Sequence, residues 1–158
     1  MTDATADAAA APQDGGDLID LYSKRILALA ADIPLGDPLA APDASARKRS
    51  PLCGSSVGVQ ITVAGGRVTG YSQDVKACAL GQAAASVLGS AMIGRTRDEL
   101  SVARGQLRAM LKADGPVPDA PFDGFEVLRP AKDYKNRHAS ILLSLDAVLA
   151  AFDELEAK

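Results

Sequence analysis

Metal or thiol chemistry has very few places to live in this chain. There are two cysteines, Cys53 and Cys78, and one histidine, His138. Two thiolates and an imidazole nitrogen form a donor set that suits Zn²⁺ or an iron–sulfur site. Cys53 stands beside Gly54, and a glycine lets a ligand approach the backbone closely. Cys78 directly precedes an Ala-rich stretch that reads as a helix. Unpaired amides and the helix dipole at such a start stabilise a thiolate. No CxxC pair occurs, which removes a thioredoxin-like motif and a four-Cys zinc module. Walker, dinucleotide-binding and Ser/His/Asp esterase signatures are absent as well. On these residues alone a blander reading stays open: the cysteines are small buried hydrophobes, and His138 is a surface residue in a helix's first turn.

The elements that must position these groups follow from hydrophobic period. Val57, Val59, Ile61 and Val63 alternate with Gly58, Gln60 and Thr62, the pattern of a half-buried strand. Ala64-Gly65-Gly66-Arg67 reads as a turn, and Val68 to Gln73 as the returning strand. In a hairpin the start of the first strand and the end of the second share one end of the sheet. Cys53 and Cys78, 25 positions apart (53 to 78), are therefore expected close together. A helix is expected from Ala79 to about Ile93, stopped by Gly94. Thr96 to Glu99 forms a capping box that opens another helix, with Leu100, Ala103, Leu107, Met110 and Leu111 on its inner face. Gly115, Pro116, Pro118, Pro121 and Gly124 mark a loop that Phe122, Phe125, Val127 and Leu128 pin to the core. The last helix is expected from about Asn136 to Glu156, with Ile141, Leu142, Leu145, Val148, Leu149 and Phe152 as its buried stripe and His138 in its first turn. Nearer the start, Asp17 to Ala31 reads as a helix capped by Asp17, with Leu18, Leu21, Tyr22, Ile26 and Leu29 on one side. Residues 34–50 form a connector holding Pro34, Pro38 and Pro42. It ends in the basic run Arg47-Lys48-Arg49, read as a solvated strand or loop, with a partner-docking patch as the alternative.

Length and composition bound the rest. The chain has 158 residues and a mass of 16.2 kDa, enough for one domain and a tail. Residues 1–16 read as a disordered tail and 17–158 as a single domain. The net charge of −3 argues against a nucleic-acid partner, and three Tyr, three Phe and no Trp argue against a base-stacking platform. No apolar run is long enough to cross a membrane. The first sixteen residues carry Asp3, Asp7 and Asp14 and no Lys or Arg, unlike a secretory or mitochondrial leader, so a cytoplasmic location is expected.

Taken in order, these segments show a resemblance. Ser50-Pro-Leu-Cys53-Gly54-Ser55 before a hairpin resembles the Pro-x-Cys-Gly-Asp motif of the U-type iron–sulfur cluster assembly scaffolds, the NifU N-terminal, IscU and SufU family. Cys78 opening a helix of small residues is similar to that family's second Cys. Gly94-Arg95-Thr96 with Asp98-Glu99 resembles its Gly-Lys-Ser/Thr segment, and Arg137-His138-Ala139-Ser140-Ile141-Leu142 its His-Cys-Ser-Ile-Leu segment. Ile19-Asp20-Leu21-Tyr22 is similar to its opening helix. The likeness spans about residues 17–157.

The resemblance implies an α+β fold: a small antiparallel sheet of about three strands packed against four or so helices, with the third strand near Ala44–Ser50. It implies a scaffold, not an enzyme, that holds iron or a nascent [2Fe–2S] cluster, or Zn²⁺ as the alternative. Sulfur would come from a cysteine desulfurase, and the cluster would pass to apo iron–sulfur proteins. Cys53 and Cys78 would be thiolate ligands, His138 the nitrogen ligand and Ser55 a weak or outer ligand. Two departures matter. The family's motif Asp is Ser55 here, and its third Cys, directly after the His, is Ala139. Three good ligands remain, whereas a [2Fe–2S] cluster takes four from protein. The balance would have to come from Ser55, a partner or a second subunit. The alternative function is therefore a zinc- or iron-binding or protein-interaction module of the same fold that has lost cluster assembly.

Overall fold

In the computed structural model, the residues described are 23–51 and 54–158. Three strands form an antiparallel sheet in the order β1-β2-β3: β1 (Ala44–Arg49), β2 (Ser56–Ala64) and β3 (Arg67–Lys76). Four α-helices accompany them among the described residues: α1 (Lys24–Ala31), α2 (Ala79–Ala91), α3 (Arg97–Ala113) and α4 (His138–Ala157). Two 3₁₀ stretches, Asp123–Asp133 and Lys135–Arg137, lead into α4.

The hairpin forms as its period requires. Val57, Val59 and Ile61 are buried, while Gly58, Gln60 and Thr62 are half-buried on the other face. Gly65 and Gly66 take φ of 60° and 77°, the left-handed backbone that closes a two-residue hairpin matching the strand twist. The strands run beyond the expected 57–73, and their pairing continues to Ser56 opposite Lys76. β1 pairs with the other edge of β2, with Arg49 opposite Ser56. The third strand therefore lies where the resemblance placed it. Its side chains Arg47, Lys48 and Arg49 are exposed, a solvated strand and not a loop.

Helix α4 lies across β1 and β2 and also packs on α2 and α3. Its whole expected stripe is buried except Leu149, which is partly covered. The inner face of α3 is the expected set, Leu100, Ala103, Leu107, Met110 and Leu111. The capping box forms: the Thr96 hydroxyl accepts from the Glu99 amide at 3.1 Å, and a Glu99 carboxylate oxygen accepts from the Thr96 amide at 2.9 Å. That amide contact, ahead of the Arg95 charge, holds the Glu99 carboxyl below the usual range.

Other features differ from the expectation, among them the start of α4, which follows the 3₁₀ turn Lys135–Arg137 and comes at His138 rather than Asn136. Helix α1 begins at Lys24, because Ser23 is extended (φ −60°, ψ 165°) and its hydroxyl caps the Ile26 amide. Residues 17–22, including the proposed cap Asp17, lie outside the described residues, as does the 1–16 tail. Helix α2 stops at Ala91, short of Ile93. The Gly94 amide donates to the Val68 carbonyl at 2.8 Å and the Val68 amide to the Arg95 carbonyl at 2.9 Å, so the start of β3 captures the chain. Finally, residues 123–133 wind as 3₁₀ helix. Phe122, Phe125, Leu128 and Ala131 recur every third residue and are all buried, the stripe that three residues per turn produces.

Candidate metal and thiol centre

The site lies where the loop between β1 and β2 meets the starts of α2 and α4. The loop is closed by two backbone bonds: the Gly54 amide donates to the Ser50 carbonyl and the Ser50 amide to the Ser55 carbonyl, each at 2.8 Å. Gly54 takes φ +71°, a left-handed turn that suits glycine. Leu52 and Cys53 lie outside the described residues, so the expected approach of Cys53 to Cys78 is not part of the described geometry. Register nevertheless places the end of this loop beside the end of β3, since Ser56 pairs with Lys76. Two residues further on is Cys78.

Cys78 is a half-buried free thiol at the N-cap of α2. Its Sγ lies 3.5 Å from the Ser140 Oγ on α4. Ser140 in turn lies 3.1 Å from the Ser55 Oγ. Both serines are buried, with 1% and 3% exposure for Ser140 and Ser55. Gly81 makes this meeting possible: a Cβ there would sit 2.5 Å from the Ser140 Oγ. Cys78 and Ser55, two of the residues that the sequence singles out, are thus joined through a third, Ser140, which in sequence is only one member of the 137–142 segment. The signal for Ser140 was a polar side chain inside an apolar helical stripe.

His138 points elsewhere. Two positions along a helix turn the side chain by about 200°, so Ser140 and His138 leave α4 on nearly opposite sides. The buried His138 ring has its Nε2 2.9 Å from the Ala131 carbonyl and its Nδ1 3.2 Å from the Lys112 ammonium. An ammonium only donates. Nδ1 therefore accepts, and Nε2 carries the proton given to Ala131. Lys112, Lys132, Lys135 and Leu111 line a cleft together with His138. Burial lowers the His138 pKa, with the Ala131 contact opposing and the Lys112 charge assisting.

The sign of the pH effect follows. The unfolded histidine takes up a proton near its ordinary value of about 6.5, before the folded one does. Stability attached to the neutral ring is then full above that pH and falls as pH drops below it. We expect urea midpoints to decline on acidification from pH 7 toward pH 5, and His138→Gln to flatten that decline. An unchanged slope in the variant would assign the acid sensitivity to other groups.

Ala139, at the position of the family's third Cys, is exposed. Among the described residues no group of three or more His, Cys, Asp or Glu side chains converges as a metal site, and nothing among them favours zinc. No helix among the described residues is long and apolar enough to cross a membrane.

No protein-family model matches the sequence, and no curated protein matches it. Solved structures do. The chain is similar to the N-terminal part of a nitrogen-fixing NifU-like protein from Brucella abortus, with 45% identity, a TM-score of 0.87, and coverage of 90% of this chain and 99% of that one. It also shares its fold with a SUF-system iron–sulfur cluster assembly scaffold protein from Fervidobacterium islandicum, at 18% identity and a TM-score of 0.74, covering 84% of this chain and 97% of that one.

Proposed function

This chain belongs to the NifU-like family of U-type scaffolds, and from that premise we propose that it holds iron or a nascent [2Fe–2S] cluster as cargo for delivery to apo-proteins. The carrying observation is the 45% identity maintained over 90% of the chain. The half-buried thiol at the start of α2 supports it. In this reading the protein is a non-enzymatic carrier, Cys78 and Cys53 supply the two thiolates, and Ser55 is linked to Cys78 through Ser140. A cysteine desulfurase supplies the sulfur. For His138 to join the ligands, Nδ1 has to leave Lys112 and the side chain has to turn toward the thiols from the other side of α4. The remaining ligands of a four-ligand cluster then come from Ser55, a small thiol or a second protein.

Anaerobic reconstitution with iron, sulfide and thiol tests the reading. A visible chromophore carrying about two irons and two sulfides per cluster supports it, and protein that emerges without bound iron overturns it. Ala139→Cys sharpens the test. The position is exposed, so a thiol there is accessible and adds a third thiolate without disturbing the core. We expect a severalfold gain in cluster yield and slower loss of iron to a chelator. The exposed Ala139 and the committed His138 ring are also what favours a second reading, a metal-binding or docking module without assembly. Iron bound without sulfide, at about one per chain, would select it.

A further inference from the structure

The contact between Ser140, Cys78 and Ser55 has a direction once Cys78 holds cargo. A hydroxyl has one proton to donate and lone pairs to accept with. A coordinating sulfur has no proton and only accepts. For the 3.5 Å contact to persist as a hydrogen bond, Ser140 has to be its donor, which leaves Ser140 to accept from the Ser55 hydroxyl. Serines inside helices commonly spend their proton on the carbonyl one turn back, as Ser90 does on Ser86 at 3.0 Å. Ser140 instead reaches out of α4 to two other elements, and α2 carries Gly81 where any side chain would collide with it. Resting on the cargo-carrier reading, we infer that Ser140 is a positioning residue: its hydroxyl donates to the coordinating sulfur of Cys78 and fixes where that sulfur points. A hydrogen bond to a ligand sulfur also stabilises the added electron of a reduced cluster. Ser140 thereby supplies from the protein interior part of the control that the substitutions at Ser55 and Ala139 remove from the ligand set.

The first test needs no cargo. In the apo chain with Cys53→Ser, Cys78 is the single remaining thiol, so the infrared S–H stretching band reports on it alone. Adding Ser140→Ala is expected to shift that band. Adding Ser55→Ala removes a hydroxyl of equal size from the same buried cluster but leaves the Ser140 contact, and should shift it much less. Near-ultraviolet circular dichroism checks that each variant is folded. Should Ser140→Ala not fold, Gly81→Ala displaces the hydroxyl by crowding and should shift the band likewise. A band unmoved in every folded variant that removes or displaces the hydroxyl overturns the inference. The second test uses the reconstituted chain without the Cys53 substitution. Ser140→Ala is expected to lower the cluster's reduction potential, and Ser140→Thr to restore it; equal potentials in all three count against the inference. If the parent chain takes up no cluster while Ser140→Ala still moves the S–H band, the carrier reading fails and the positioning of the Cys78 sulfur stands.

Discussion

Replacing Cys78 with alanine is expected to abolish retention of the proposed iron–sulfur cargo while leaving the apo fold nearly unchanged. The chain has only two thiols, and a [2Fe–2S] cluster draws four protein ligands. With Cys78 gone one thiolate remains, and hydroxyls are poor substitutes for soft donors. The structural cost is small because Cys78 is half-buried, sits at the N-cap and makes no side-chain capping bond. Alanine keeps the Cβ, so the stability change should stay under about 1 kcal/mol. The measurement is iron and sulfide per chain after anaerobic desalting, beside a urea melt of the apo-protein. Cargo retained at the parent level would remove Cys78 from the site.

The largest expected change in stability belongs to Phe125→Ala. Phe125 is 1% exposed, and its ring stacks on Phe122 with centroids 6.3 Å apart and planes at 18°. Truncating a buried phenylalanine costs about 3–5 kcal/mol, since transfer and cavity terms add. A domain has about 5–15 kcal/mol in all, so this one change removes a large fraction. The effect should extend to His138. Phe125 anchors the 3₁₀ stretch that carries Ala131, and the Ala131 carbonyl holds the His138 ring at the start of α4. The check is the urea midpoint of the variant. A loss below about 1 kcal/mol, the range of ordinary surface changes, would mean that the stretch is not pinned through Phe125.

The sheet and the long helices were legible because their residues repeat with the period of the element. Val57, Val59 and Ile61 announce β2, and Leu100, Ala103, Leu107, Met110 and Leu111 the inner face of α3. The 3₁₀ stretch was legible only in part. Phe122, Phe125 and Leu128 mark themselves as anchors, but a spacing of three amid Gly and Pro suits a pinned loop as well as a 3₁₀ helix. The end of α2 is hidden from the sequence for a different reason. It is set by β3 backbone capturing Gly94 and Arg95, a pairing that leaves no mark in the local sequence. β1 gave little pattern of its own, since Ser45, Arg47, Lys48 and Arg49 show no apolar alternation. It came from the resemblance, which placed it correctly.

The site divides in the same way. Cys78 at a helix start could be read directly from the chain. The placing of Ser140 could not, because it depends on Gly81 letting α2 approach α4. The direction of the His138 ring was equally hidden. It is decided by Lys112 and Ala131, which lie 26 and 7 positions away from it, so His138 and Ser140 looked alike as members of one short motif.

Among the described residues β1 pairs on one side only, with β2. Were two molecules to join sheets through β1 about a twofold axis at Lys48, Lys48 would face Lys48 and each Arg47 would face an Arg49. Like charges directly opposite one another destabilise a strand pair, and lysine-rich edges are a known defence against sheet extension. Lys48 and Arg49 thus oppose stacking of copies along this margin, Arg47 contributing less because Asp74 pairs with it at 2.7 Å. Added salt shortens the reach of that repulsion, so concentrated stocks should tolerate dilute buffer better than brine.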